Sequence, residues 1–260
     1  MTEAAETHEL AKRWLNDAER VVALTGAGIS TDSGIPDYRG PDSPPSNPMT
    51  IRQFTSDAAF RQRYWARNHL GWRHMDQTMP NAGHRALAAL GAAGVVDGLI
   101  TQNVDGLHSV AGSRGVVDLH GRIDEVVCLD CRRITPRDAL QARLTALNPG
   151  FTEAHSAQVE TAPDGDAAVE ITDGFRIAPC ASCGGVLKPH VVFFGENVPK
   201  DRVARCYAMV AALTPEDGAL LVAGSSLTVM SGLRFVRAAH RAEVPVVIVN
   251  RGATRGDELA

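Results

Sequence analysis

The sequence predicts an α/β fold, a parallel sheet with helices on both faces, and a small metal-binding module attached to it. Three observations predict it. Apolar runs of strand length alternate with helical stretches of about ten residues, the order that builds parallel sheets. The first run, Arg20 to Leu24, feeds directly into Thr25-Gly26-Ala27-Gly28, a glycine turn at the end of a buried strand. Four of the five cysteines form two tight pairs, Cys128-x-x-Cys131 and Cys180-x-x-Cys183.

The elements follow in order. Glu6 to Ala18 predicts an amphipathic helix ahead of the first strand. Residues 34 to 50 hold five prolines, which neither a helix nor a central strand tolerates, and predict a long surface loop, of the kind that is functional or mobile. From Ile51 to His74, Phe54, Phe60, Tyr64 and Trp65 recur at helical spacing, and Asn81 to Leu90 predicts another helix. Val95 to Ile100 is a strand, and Thr101 to His120 is polar and loop-like. Between the cysteine pairs lie one helical stretch, Arg137 to Leu147, and the weakly hydrophobic run HSAQVETAPDGDAAVE, an insertion on the metal module. Three further apolar runs, Val191 to Phe194, Ala219 to Val222 and Val244 to Val249, predict strands, separated by helices over Asp201 to Ala212 and Gly232 to Arg241.

Composition excludes several functions. With 26 Lys and Arg against 30 Asp and Glu and a net charge of −4, the chain offers no basic footprint for nucleic acid. Its longest apolar stretches fall well short of the ~18 residues of a membrane helix, and the acidic start MTEAAETHEL lacks a basic leader. We expect a cytoplasmic monomer that binds neither membrane nor nucleic acid.

Gly26-Ala27-Gly28 after a strand suits the approach of backbone N–H groups to a pyrophosphate, so the sheet is expected to be Rossmann-like. The match is incomplete, with Thr31 where the third glycine belongs, and a plain glycine turn fits as well. Gly224-Ser225-Ser226 and Asn250 end the last two apolar runs, where ligands of open parallel sheets bind. Thr101 to His108 packs carboxamides, a carboxylate and an imidazole into eight residues; Gln102 and Asn103 suit another amide and Asp105 an amide or a sugar hydroxyl, although a local turn is equally consistent. His120 before Gly121 offers a base near neutral pH. Four thiolates at Cys128, Cys131, Cys180 and Cys183 predict one closed, tetrahedral, structural zinc site, with Gly184-Gly185 allowing the knuckle. A dithiol redox site is disfavoured because neither pair opens a helix after a strand. Cys206, in an apolar helical stretch, is expected to be buried and inert.

Taken together, GAGISTDSGIPDYRG (26–40), TQNVDGLH (101–108), LHG (119–121), the paired cysteines, KPHVVFFGE (188–196), GSSL (224–227) and IVN (248–250) resemble the sirtuins, NAD-dependent protein lysine deacylases. RQRYWARN, CLDC, LNP and APDGD resemble the class II branch, in a bacterial-type chain. The resemblance implies one catalytic domain over 1–260: a Rossmann-like core at about 1–40, 81–120 and 189–260, a helical cofactor-loop module at about 41–80, and a zinc module with its insertion at about 121–188. It implies that Gly26, Ala27 and Gly28 cradle the NAD pyrophosphate, that Asp37 and Arg39 belong to the cofactor loop, and that Thr31 and Tyr38 are also cofactor-binding residues. Gln102, Asn103 and Asp105 would line the nicotinamide and ribose site, and Gly224, Ser225, Ser226 and Asn250 the adenosine half. His120 would be the general base, with Asn103 the second catalytic residue. Val192 and Phe194 would line the acyl-lysine channel.

By the same resemblance the acyl oxygen attacks the nicotinamide ribose, nicotinamide leaves, and His120 then takes a proton from a ribose hydroxyl, giving free lysine and O-acyl-ADP-ribose. Acyl-lysine proteins or peptides would be the partners. Tyr64 and Arg67, three apart on a helix, resemble the pair that holds the distal carboxylate of acidic acyl groups in some sirtuins. Tyr38 departs from the family's usual Phe. The alternatives are mono-ADP-ribosyl transfer from the same NAD site and, outside enzymes, an NAD-sensing zinc interaction module.

Overall fold

The computed structural model describes residues 9, 12, 13, 15, 17–39, 48–155, 172 and 174–260. The expected first helix is helical at Glu9, Lys12, Arg13, Leu15 and Asp17. The middle of the proline-rich loop and nearly all of the run HSAQVETAPDGDAAVE, APDGD included, lie outside the described residues.

Strand β1 (Arg20–Thr25) enters a 3₁₀ turn over Ala27–Ser33. Helices α1 (Ile51–Ser56), α2 (Ala58–Gln77) and α3 (Ala82–Ala92) follow, then β2 (Val96–Thr101), a single turn α4 (Leu107–Val110) and β3 (Val116–Asp118). Next come β4 (Gly121–Cys128), β5 (Ile134–Pro136), α5 (Arg137–Leu147), α6 (Phe151–His155) and β6 (Leu187–Val191). The last are α7 (Lys200–Ala211), β7 (Gly218–Ala223), α8 (Met230–Arg241) and β8 (Val246–Val249). Side-chain caps set the helix starts: Thr50 with Gln53 boxes α1, Asp57 caps α2, and Asn81 with His84 boxes α3, satisfying otherwise orphaned N–H groups.

Five strands form one wholly parallel sheet in the order β3-β2-β1-β7-β8. The strands read as continuous apolar runs because both faces are covered. Val22, Leu24, Ile100, Leu220 and Val222 pack under α7 and α8, through Val210, Leu233, Val236 and Ala239. Their chain neighbours Val21, Ala23, Leu99 and Leu221 point the other way, onto Leu87 of α3. The chain goes from β1 to β2 on one side and returns to β7 on the other, so the carboxyl ends of β1 and β7 flank the switch point where open sheets bind ligands.

A second sheet, antiparallel β5-β4-β6, has its own core with α1, α2 and α5, built on Phe54, Tyr64, Trp65, Trp72, Leu140 and Leu144 and including Cys128 and Cys180. This corrects one expectation. The run Val191 to Phe194 is not a strand of the parallel sheet; the strand is Leu187–Val191, antiparallel to β4. An apolar run does not encode the direction of its partner. Lys188 is buried within β6, paired opposite Val127, and its ammonium donates to the carbonyls of Pro189 and Val191 and to Glu196, tying the end of the strand to the segment that follows. A second difference is that Thr101 to His120 contains α4 and β3, the latter a three-residue edge strand too short to leave a pattern. Among the described residues no helix is long and apolar enough to cross a membrane.

Candidate active site and metal centre

The turns after β1 and β7 touch. Gly28 N–H donates to Gly224 O at 2.9 Å. A Cβ on Gly26 would lie 2.8 Å from Ser225 Cβ, and one on Gly28 would lie 2.9 Å from Gly224 O, so larger residues would force the strand ends apart. Gly224 itself sits at φ 62°, in the left-handed region. The two turns form one end of a cavity of about 380 Å³.

The end of β2 supplies a polar wall. Gln102 Nε2 donates to Thr25 O (3.2 Å) and Ser225 Oγ (2.8 Å), tying the ends of β1, β2 and β7 together. Asn103 Nδ2 donates to Ser30 Oγ (3.0 Å), and Ser30 Oγ donates to Asp105 Oδ2 (2.7 Å). Ser30 therefore orients both candidate ribose and nicotinamide residues. Sequence reasoning missed it, although it stands inside the glycine turn GAGIS. Beneath this wall His108 Nε2 meets Thr25 Oγ1 at 2.9 Å, and burial pushes its pKa down to about 3; burial likewise lowers that of His84, whose ring lies 4.7 Å away.

His120 occupies the turn between β3 and β4 and faces the cavity. Its Nδ1 lies 2.7 Å from Gln102 O and its Nε2 2.8 Å from Ser231 Oγ. Burial, and to a lesser degree the charge of Arg202, hold the imidazole below its ordinary pKa, against the opposing hydrogen bond to Gln102. A neutral imidazole in a cavity can accept a proton. Gly121 is required beside it: φ is 83°, and a Cβ would lie 2.0 Å from His190 O.

Asp37, Tyr38, Arg39, Val192, Phe194, Ser226 and Asn250 all border the same cavity. Val191 and Phe193 are buried while Val192 and Phe194 face outward, so the expected alternation survives although the segment is not in a ladder. The Tyr38 ring packs edge-on to Phe194 at 6.0 Å. Three expected site residues do not line the cavity. Thr31 is exposed and bonds its own turn at Gly28 O (3.0 Å). Tyr64 is 1% exposed, set among Phe54, Trp65 and Phe193, and Arg67 is half-buried on α2.

The four paired cysteines converge with all Sγ atoms within 4.8 Å of one another. Cys128 and Cys183 approach to 3.5 Å and Cys131 and Cys180 to 3.9 Å, close to the ~3.8 Å edge of a tetrahedron with ~2.3 Å metal–sulfur bonds. Gly184 at φ 77° and Gly185, whose Cβ would strike Asp130, form the second knuckle. All four positions are protein thiols, so the donor set suits zinc in a closed site. Cys206 is fully buried and its thiol is pushed up to about 11, as an inert core residue should be.

A parallel sheet with a glycine-lined cavity at its switch point, a polar wall, a neutral histidine and a detached four-thiol module defines a dinucleotide-binding α/β protein with a structural metal site. The chain belongs to the Sir2 family, whose sequence model matches residues 26–231. It is 65% identical over 243 residues to NAD-dependent protein deacetylase 1 of Mycobacterium avium, covering 93% of this chain and 85% of that one. It is 57% identical over 246 residues to NAD-dependent protein deacetylase 1 of Streptomyces coelicolor, with coverage of 92% and 79%. Among solved structures, a Sir2–p53 peptide–NAD+ complex superposes with a TM-score of 0.73 at 32% identity, covering 96% of this chain and 88% of that one. A Sir2 bound to acetylated peptide gives 0.75 at 29%, covering 97% and 90%.

Proposed function

We infer that the protein is an NAD-dependent protein lysine deacylase acting on acyl-lysine proteins or peptides. The observation that carries this is the placement of His120: a neutral imidazole in the one cavity that both the touching glycine turns and Val192 and Phe194 line. NAD, when bound, supplies the ADP-ribosyl acceptor for the acyl group and releases nicotinamide.

The chain's own residues divide the remaining work. Gly26 to Gly28 and Gly224 to Ser226 leave room for the pyrophosphate and adenosine, with Asn250 beside them. Gln102, Asn103 and Asp105, braced by Ser30 and Ser225, hold the nicotinamide and its ribose. Asp37, Tyr38 and Arg39 close over that end, and His120 takes the proton of a sugar hydroxyl. Val192 and Phe194 flank the acyl-lysine. Zinc at the four cysteines would hold the second sheet together and supply no open coordination position, because all four positions are cysteines and the site lies at the far end of β4 from His120. The chain is read as one catalytic domain of sheet core, helical module and zinc module, working as a cytoplasmic monomer.

Mass spectrometry of products from NAD and a panel of acyl-lysine peptides tests the reading. Free nicotinamide with O-acyl-ADP-ribose is the expected result. ADP-ribosylated peptide would instead indicate transfer to protein, and no turnover of any peptide would leave a binding module.

A further inference from the structure

We propose that Ser231 is a positioning residue for the proton-accepting nitrogen of His120. The proposal rests on the reading of His120 as the base. The imidazole is held at both nitrogens, 2.7 Å from Gln102 O at Nδ1 and 2.8 Å from Ser231 Oγ at Nε2. A main-chain carbonyl only accepts, so Nδ1 carries the proton and Nε2 presents its lone pair to the Ser231 hydroxyl, which donates. Nε2 is then the ring's one basic position, and Ser231 is the side chain that fixes its direction.

A second feature locks this clamp. Ser231 is the second residue of α8, and the next residue, Gly232, lies so close to Gln102 that a Cβ there would stand 2.5 Å from Oε1 and 2.7 Å from Cδ. The Gln102 side chain cannot swing away, because its amide is engaged by Thr25 O and Ser225 Oγ. The residue that supplies the Nδ1 partner and the helix that supplies the Nε2 partner are thereby held in register. Arg202 from α7 is the cation acting on the ring from outside the clamp.

A substrate hydroxyl replaces Ser231 at a lone pair already aimed into the cavity. The proton passes from that hydroxyl to Nε2 while Nδ1 keeps its own, with no prior rotation of the ring.

The test compares Ser231→Ala, Ser231→Thr and His120→Ala. Nitrogen-15 NMR of histidine-labelled protein without NAD should show wild-type His120 protonated at Nδ1 and hydrogen-bonded at Nε2. In Ser231→Ala the Nε2 signal should move to that of a free, unprotonated nitrogen, and Ser231→Thr should restore it. With NAD and an acetyl-lysine peptide, Ser231→Ala should lower kcat about tenfold, the effect of one lost orienting hydrogen bond. KM for NAD and exchange of labelled nicotinamide, which precedes the base, should stay within twofold, and Ser231→Thr should recover most of kcat. An Nε2 signal unmoved in Ser231→Ala, or deacylation unchanged or faster, overturns the proposal while His120→Ala remains inactive. If His120→Ala itself deacylates normally, the base assignment fails instead.

Discussion

The two sheets of this molecule use the ends of their strands in opposite ways. The parallel sheet leaves its carboxyl ends open: the turns after β1 and β7 meet through glycine backbone, and the polar groups of β2 face a cavity. The antiparallel sheet closes its end, with Cys128 terminating β4 and all four thiols turned on one another. An open end can exchange ligands, whereas a closed one can only hold the chain. Strand β4 joins the two, with His120 just before its first residue and Cys128 its last. The difference teaches that activity and stability should be separable by mutation although one strand carries both.

The largest effect should come from the closed end. Cys131 is exposed, so Cys131→Ala removes a ligand without removing core packing. We expect loss of bound zinc and a destabilisation of up to ~10 kcal/mol, since the free energy of a structural zinc site is folding free energy. Metal analysis and thermal melting check it; full activity with well under one zinc per chain would end the division of labour. At the open end, His120→Ala should cut deacylation ~10²–10⁴-fold and leave melting temperature and NAD affinity near wild type, by calorimetry. A variant that unfolds would mean that the base is also a structural post.

Acid should act on both regions at once. His108 lies under the parallel sheet's polar wall and is pushed to about 3 by burial. His69, on α2 and packed against Phe151 and Phe175, is pushed to about 4, chiefly by burial and secondly by Arg137. Each has a folded pKa below its unfolded one, so the unfolded chain binds more protons. The stability each contributes is complete above about pH 6.5 and is lost as pH falls towards the folded value. At pH 5 the loss is about 2 kcal/mol per histidine. Denaturant melts at pH 7 and pH 5 measure it, and a midpoint independent of pH would show that these rings are not buried neutral.

The same contrast explains what the sequence made legible. Strands β1, β2, β7 and β8 were visible because burial on both faces leaves apolar runs, interrupted in β2 by Asp97 and Gly98, and the cysteine spacing declared the closed site. The direction of β6 was hidden because Val191 to Phe194 is equally apolar in either sheet; the contact that ties buried Lys188 to the carbonyls of Pro189 and Val191 and to Glu196 ahead of it leaves no pattern in the sequence. Arg137 was equally opaque. It is fully buried between Trp65 and Trp72 and bonded to Asn68, a placement that no basic residue at a helix start announces. Ser30 and Ser231 act through partners 75 and 111 residues away, at Asp105 and His120, and such contacts leave no local signal.

The smallest expected effect lies where the two regions meet. Tyr64 belongs to the core of the second sheet, yet its ring packs 5.2 Å from Phe193, which borders the cavity of the first. Arg67 follows one turn later on α2, half-buried. Neither lines the cavity, so any grip on the carboxylate of an acidic acyl group operates past the Phe193 ring, after that ring shifts or the acyl chain extends. A fully formed Arg–carboxylate contact would give a preference approaching a hundredfold; at one ring's remove we expect about threefold to tenfold. Acidic acyl peptides, succinyl and glutaryl among them, should therefore be accepted at least as well as acetyl, and Arg67→Met should shift the ratio of kcat/KM towards acetyl by that factor. A wild type that strongly prefers acetyl, or a ratio unmoved in Arg67→Met, would make Tyr64 and Arg67 core residues of the second sheet alone and draw the boundary between the two regions at Phe193.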